Sequence, residues 1–446
     1  MSLLKDRLTT WLTIIGLSVI FLGVTLPLRK NYIFDWDQAA DYEAVEKIAG
    51  GKLTLIGPRV TSDKGFFLGP WHYYFLVPFF KLTNGSLEMG FWAVLLIQYL
   101  YLIITFWVSK KWGGVLAGII AGILVATSGN IVEWGFMYVP GLSLLFLVIC
   151  RKTLVKPKLL PWLSLFFGFG STIYAVFYAL VIPFSYVGLK LLIKKKIGWR
   201  KIFVSLGLGL LPYTPLFIFD LRHNFLNIRN MLGFWGGQNG PGVERGYFLQ
   251  VFFRAIERSW INQELSGFMA IAVVVISLII LIWGGLTLFK TNKTLIWLWL
   301  GSSLIPLAFF HGSVSEYYYA PVILLIPIFL SVLLTRKGWF GKTVLVGLVI
   351  TLVAFRINNL WLTPVGITLA DKIEAVEELE KLGTKYSVSY EFKLGEDNGY
   401  TTVFRKIGHN YVANGSAQLF TLTESKNTNI KGVKIFSSNK LAIYKR

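Results

Sequence analysis

The sequence predicts an all-α polytopic membrane protein of about eleven transmembrane helices, closed at its C-terminal end by a small α+β domain. Three observations carry that prediction. The 446 residues are 54% hydrophobic and only 15% charged, with a mean hydropathy of +0.60. Runs such as 11–28, 268–289 and 322–334 are apolar all round, so no face of them suits water. The charged residues, finally, sort by sign into alternate connections between those runs.

Segments of membrane-crossing length are expected at 10–28, 89–109, 112–128, 137–150, 159–172, 174–193, 202–219, 267–289, 294–310, 317–335 and 342–360. Lys5 and Arg7 precede the first run as in a signal peptide, but no small-x-small cleavage site follows at Leu28-Arg29-Lys30. That points to a retained first span. The short connections around Lys110/Lys111, Arg151–Lys158, Lys194–Lys201, Lys290/Lys293 and Arg336–Lys342 are basic, and Asp6 is the one acid on their side. Basic loops face the cytoplasm. The N-terminus is therefore expected inside, and loops 29–88 and 220–266 and the tail 361–446 outside, in a multi-pass protein of the plasma membrane. The remaining acids all lie on that outer side, as do the four histidines.

Basic residues at span ends explain most of the +21 net charge, which excludes a nucleic-acid reading in favour of membrane lipids. The lone Cys150 excludes an internal disulfide and any multi-cysteine metal site. The sequence has no HExxH, CxxC or GxSxG motif. The predicted division is a membrane-embedded catalytic region over 1–360 and an extracytoplasmic unit over 361–446. In the latter, 367–382 has helical periodicity ending at Gly383. Residues 386–392, 401–406, 418–423 and 433–444 read as β-like stretches between Gly, Asn and Asp turns.

The first outer loop carries the chemistry. It opens with Asp35, Asp37 and Asp41, and Ala39, Ala40, Ala44, Val45 and Ile48 then recur at helical spacing. An interfacial amphipathic helix would place Asp37 and Asp41 four residues apart on one face. Like charges so placed cost about 0.2–0.5 kcal/mol. A cation, a metal or a raised carboxylate pKa would offset that. Grouped carboxylates suit deprotonation of an acceptor or ligation of a metal, although as solvated caps of a surface helix they would need no function. Further along, Gly57-Pro58-Arg59 and Gly69-Pro70-Trp71-His72-Tyr73-Tyr74 mark turns and a half-wet aromatic run. Arg59 and His72 are available to a phosphate.

On later outer elements, Arg222, His223 and Arg229 follow Asp220 and could hold a lipid phosphate. Glu316, before Tyr317, lies near the hydrocarbon boundary and needs a partner. Glu133 is a weaker example of the same kind. The glycine-rich stretch 233–242 lacks the Lys-Ser/Thr ending of a phosphate-binding loop.

The order of a short cytoplasmic start, one span, and an acidic loop with the pattern Asp35-x-Asp37-Gln38-x-x-Asp41 resembles the GT-C superfamily of integral-membrane glycosyltransferases. The resemblance extends to Leu55-x-Gly57-Pro58 and Gly69-Pro70-x-x-Tyr73-Tyr74. It is nearest to the protein O-mannosyltransferase and lipid A aminoarabinose transferase branch, families 39 and 83. It covers residues 10–360. It implies a GT-C fold and transfer of a sugar from a polyprenyl-phosphate donor to a lipid, glycan or protein acceptor on the outer face. It also implies a first-loop aspartate as base, best matched by Asp37, with Asp35 or Asp41 as alternates. Donor contacts would then fall to Arg59, His72, Tyr73, Tyr74, Arg222, His223, Arg229, Glu316 and Tyr317. No cofactor is required, and a divalent metal on Asp35 and Asp37 stays open. Protein O-mannosyltransferases carry Asp-Glu where this chain has Asp37-Gln38. A lipid-linked saccharide transporter or flippase is the rival, disfavoured by the lack of any internal repeat or mid-span acid. A polysaccharide polymerase or ligase would place its large loop later in the chain.

Overall fold

A computed structural model gives the fold. It describes all residues except 1, 61–64, 129–134, 236–246, 262–264, 291, 309–314, 363–365, 393–396, 398, 414–416, 426–431, 439 and 446. The helices are α1 (Ser2–Thr25), α2 (Trp36–Ala49), α3 (Trp71–Leu82), α4 (Met89–Gly113), α5 (Val115–Ala126), α6 (Val139–Val155), α7 (Leu160–Ile173), α8 (Val181–Ile193), α9 (Trp199–Leu210) and α10 (Thr214–Arg222). Then follow α11 (Leu226–Trp235), α12 (Tyr247–Ile261), α13 (Gly267–Leu288), α14 (Lys293–Ala308), α15 (Ala320–Ile323), α16 (Leu325–Thr335), α17 (Gly338–Leu362), α18 (Leu369–Glu380) and α19 (Tyr400–Ile407). All eleven expected spans fall on helices. Among the described residues seven helical segments are long and apolar enough to cross a membrane, and 115–126 and 293–307 are shorter apolar helices. This is a multi-pass membrane protein.

The spans pack through small residues, as helices must where no hydrophobic force drives them together. A Cβ on Gly168 of α7 would stand 2.0 Å from the Gly209 carbonyl of α9, and one on Gly284 would enter the Phe329 ring of α16. Arg356 is buried in α17 and donates to the carbonyls of Leu124 on α5 and of Ser259 and Trp260 on α12. Those carbonyls belong to the last turns of two helices, whose ends carry partial negative charge.

The tail forms a four-stranded sheet of β1 (Tyr386–Glu391), β2 (Gln418–Glu424), β3 (Val433–Ser437) and β4 (Leu441–Lys445), ordered β1-β2-β4-β3. Strands β1 and β2 are parallel, joined through α19; the other pairs are antiparallel. Residues 401–406, expected as a β-like stretch, are instead helical. Thr401, Thr402, Val403 and Phe404 favour strands one by one, but Tyr400, Val403 and Phe404 at i, i+3, i+4 form one buried face. Helix α18 starts in a capping box of Thr368 with Asp371, whose carboxylate accepts from the Thr368 N–H at 2.7 Å. Burial raises the Asp371 pKa, and hydrogen bonds from Lys440 and Thr368 outweigh it, leaving a net lowering.

A single apolar core joins this unit to the first loop. Tyr32, Phe34, Tyr42 and Val45 pack with Leu76 and Phe91, and with Leu369, Val376, Tyr400 and Phe404 from the tail. Helix α2 is thereby held between α3 and the C-terminal unit.

Candidate active site

The opposite face of α2 is left open. Asp37, Ala40, Asp41, Ala44 and Ile48 wall one side of a cavity of about 1150 Å³. Two alanines at the middle of that face leave the space empty. The far walls come from Arg59 and Leu68 of the first loop, Tyr73 of α3, Tyr178 and Ile182 near the start of α8, Leu307 of α14, and Tyr317 and Tyr318. Charged groups come from α2 and the first loop, whereas the far wall mixes tyrosine hydroxyls with the apolar Val181, Ile182, Pro306 and Leu307.

The three first-loop acids have three different environments. Asp35 caps α2: its N–H donates to the Gln38 side chain at 2.9 Å, and its carboxylate pairs with Lys372 Nζ at 3.0 Å. Gln38 is thus occupied within the helix cap, which accounts for the amide at that place. Asp41 is buried, and its Oδ2 lies 2.7 Å from His72 Nε2. A carboxylate only accepts, so Nε2 carries the proton. The other ring nitrogen lies 3.0 Å from the Tyr138 hydroxyl. Asp37 faces the cavity, and no hydrogen bond or ion pair to it is found among the described residues. Partial dehydration by the walls raises its pKa, with added repulsion from Asp41 and Asp35. The expected like-charge conflict is met in both ways: Asp35 and Asp41 take cationic or N–H partners, and Asp37 takes a higher proton affinity.

Dehydration, then Asp41 and Asp37, also raises the Tyr73 phenol, which stays a neutral donor. Arg59 donates Nε–H to the Gly65 carbonyl at 3.0 Å and lies 5.3 Å over the Phe67 ring. Its loop is pinned where Gly57 N–H donates to the Leu68 carbonyl and Gly69 N–H to the Thr172 carbonyl, at 2.8 and 2.7 Å.

The structure therefore gathers Asp37, Asp41, Arg59, Tyr73 and Tyr317 around one cavity. His72 lies behind Asp41, fully buried, and touches the site through it. Tyr74 donates to the Thr54 carbonyl at 2.8 Å and braces the loop. Arg222, His223 and Arg229 are exposed and do not line the cavity. His223 stacks on Phe219, and Asp220 accepts from the Asn227 N–H at the start of α11. Glu316 pairs with Arg258 at 2.7 Å and lies near Arg254 at 3.9 Å, on a second cavity of about 420 Å³ that shares Tyr317 with the first. Glu133, His311 and most of the glycine-rich stretch lie outside the described residues. Sequence reasoning missed Lys47, Lys52 and Tyr178 on the cavity wall. The signal for Lys47 was its place on α2, one turn beyond Glu43; Tyr178 gave none.

No family model matches this chain, and no curated protein does. Solved structures do. ArnT from Cupriavidus metallidurans bound to undecaprenyl phosphate superposes with a TM-score of 0.61 at 10% identity, over 98% of this chain and 97% of that one. The archaeal oligosaccharyltransferase AglB from Archaeoglobus fulgidus, in complex with an inhibitory peptide and a dolichol-phosphate, gives 0.51 at 10% identity, covering 94% of this chain and 70% of that one. Its complex with Zn and sulfate gives 0.50 at 10% identity, covering 93% and 68%. The likeness spans nearly the whole chain and shows the GT-C fold that the first-loop motifs implied.

Among the described residues no three His, Cys, Asp or Glu side chains are placed to hold an ion. Asp35 is engaged by Lys372 and Asp41 by His72, which leaves Asp37 without a second carboxylate donor.

Proposed function

We propose that this chain transfers a sugar from a polyprenyl-phosphate carrier to an acceptor hydroxyl on the outer face of the cell membrane, with inversion at the anomeric carbon. The N-terminus is then cytoplasmic, residues 1–360 carry the chemistry, and 361–446 form an extracytoplasmic unit. The observation that carries this reading is Asp37, a carboxylate of raised pKa facing a cavity that is charged around α2 and carries Val181, Ile182, Pro306 and Leu307 on its far wall. Val181 and Ile182 line the cavity and are also 44% and 42% exposed on a helix long and apolar enough to span a membrane. An isoprenoid chain could enter there from the bilayer while its phosphate and sugar stay near α2. The shared fold with ArnT, a structure that holds undecaprenyl phosphate, supports the same donor class.

In the reaction the acceptor oxygen bonds to the anomeric carbon as its proton passes to the Asp37 carboxylate. The bond between that carbon and the phosphate oxygen breaks, and polyprenyl phosphate leaves. General-base assistance of this kind is worth about 10²- to 10⁴-fold in rate. Dehydration first, and Asp41 and Asp35 after it, raise the proton affinity of Asp37. Arg59 balances the charge that develops on the leaving phosphate, with the Tyr73 and Tyr317 hydroxyls as donors. No step is drawn through a metal. Arg222, His223 and Arg229, off the cavity, are left to the lipid headgroups.

The test is sugar release from a panel of polyprenyl-phosphate sugars by the purified protein in lipid nanodiscs, beside Asp37→Asn. Turnover by the wild type that falls at least about a hundredfold in the variant, with the fold intact, is the expected result. Loss confined to Asp35→Asn or Asp41→Asn would move the base. A wild type that neither turns over nor binds any donor would overturn the reading in favour of a lipid-linked saccharide transporter.

A further inference from the structure

We propose that Lys372, contributed by the C-terminal unit, is a positioning residue for Asp37: it anchors the first turn of α2 in the cavity wall and holds the charge of Asp35 beside the base. The proposal rests on the transferase reading for what Asp37 does, but not for the coupling itself.

Lysine is almost never fully buried unless it is paired, and Lys372 is 0% exposed. Its ammonium donates to the Phe34 carbonyl at 2.6 Å and to Asp35 Oδ1 at 3.0 Å, and lies 4.6 Å over the Tyr400 ring. Both acceptors sit immediately before α2, two or three residues ahead of Asp37. The contact is one of a set along the same helix. Leu369 N–H donates to the Tyr32 carbonyl at 2.8 Å, and Thr402 Oγ1 to Glu43 at 2.8 Å, beside an Arg405–Glu43 pair at 3.2 Å. Gly399, at φ +80°, approaches so closely that a Cβ there would lie 3.0 Å from the Asp35 carbonyl. A surface appendage would need none of these.

The charges around both groups define what losing Lys372 does. Asp35, Asp371, Asp397 and Tyr400 face the ammonium, whose pKa burial lowers against the pull of Asp35. Asp35, Asp41 and Tyr73 stand nearest Asp37. Glu43, Lys47, Lys52 and Arg59 complete the charged lining, and Tyr174, Tyr178, Tyr317 and Tyr318 face from the far wall. Without the ammonium, Asp35 becomes an unbalanced like charge next to Asp37. The base then needs a higher pH to ionise, and the turn that carries it loses an anchor.

The experiment compares wild type, Lys372→Met, Lys372→Arg and the double variant Lys372→Met/Asp35→Asn, full length in nanodiscs. It reads the pH profile of kcat/KM and the hydrogen exchange of backbone amides 35–42. For Lys372→Met a loss of at least tenfold at neutral pH, an acid limb moved to higher pH and faster exchange in 35–42 are expected. Lys372→Arg restores the limb. The double variant returns the limb toward the wild type while exchange stays fast. An equal loss at every pH with the limb in place would reduce Lys372 to a structural role and overturn the proposal. Should the Met variant fail to fold, judged by exchange in β2, Lys372→Gln keeps hydrogen-bonding capacity without charge and carries the same test. If the wild type transfers no sugar, the transferase reading fails on its own. Exchange then decides here, and unchanged protection of 35–42 overturns the coupling.

Discussion

His72 Nε2 lies 2.7 Å from Asp41 Oδ2, so an imidazole with no exposed surface holds a buried carboxylate one turn from Asp37. The pair fixes a negative charge that pushes the Asp37 pKa up. Asp41→Asn can still accept from Nε2–H and removes only the charge. The Asp37 carboxyl then falls toward its ordinary range, and the acid limb of kcat/KM moves to lower pH. An unmoved limb would show that the two acids are not coupled. His72→Ala instead leaves the carboxylate buried alone, at a cost of about 3–5 kcal/mol, readable in denaturant or thermal melts.

Asp37 itself is expected to weaken the fold it serves. Its folded-state pKa is raised, by dehydration first and by Asp41 and Asp35 after it. Stability from that group is therefore full below the unfolded value, about 3.9, and is lost as pH rises through the folded value. Asp37→Asn removes the charge that the cavity and the neighbouring Asp41 and Asp35 disfavour. Its melting temperature should exceed that of the wild type at pH 7, with the gap closing as the pH drops below the carboxylate range. A less stable variant at pH 7 would mean that the carboxylate has a partner in the folded state.

The membrane helices were legible because continuous apolar runs leave one solution for a backbone in lipid. Helix α2 was legible from the spacing of Ala39, Ala40, Ala44, Val45 and Ile48, which also placed Asp37 and Asp41 on one face. The support of those acids was hidden by distance along the chain: His72 is 31 residues from Asp41, and Lys372 is 337 from Asp35. Nothing in a local window announces such partners. That Arg222, His223 and Arg229 lie off the cavity was hidden for the converse reason. A basic cluster is visible locally, but whether it faces a cavity or the headgroups depends on how α10 and α11 turn against their neighbours. Residues 401–406 failed because β-prone side chains can line a helix face when three of them, Tyr400, Val403 and Phe404, recur at helical spacing.

Gly57 and Gly69 shape the cavity wall by letting two backbones touch. A Cβ on Gly57 would stand 2.0 Å from the Gly69 carbonyl oxygen, which a side chain cannot relieve because the obstacle is backbone. Gly57→Ala must therefore shift the turn that leads into Arg59. We expect at least the 1–3 kcal/mol typical of overpacking, roughly, in stability, with a rise in donor KM. Wild-type KM and stability in the alanine variant would show that the loop moves aside without cost.

Arg59 tests the phosphate end of the site. Its loop is tied to α11 by Asn227, whose Oδ1 accepts from the Phe67 N–H at 2.5 Å and whose Nδ2–H donates to the Phe67 carbonyl at 3.1 Å. Asp220 in turn accepts from the Asn227 N–H at 2.7 Å. A cation aimed at the charge on a leaving group contributes most in the transition state. Arg59→Gln should thus lower kcat/KM by about a hundredfold or more, by analogy with removing one donor to a developing anion. Asn227→Ala leaves the guanidinium present and its Gly65 anchor intact, so a loss of about tenfold is expected, equivalent to roughly 1.4 kcal/mol. Binding of sugar-free polyprenyl phosphate should weaken in the same order. If both variants bind that lipid as the wild type does while turnover falls, Arg59 acts on something other than the phosphate, and the donor has to be turned around in the cavity.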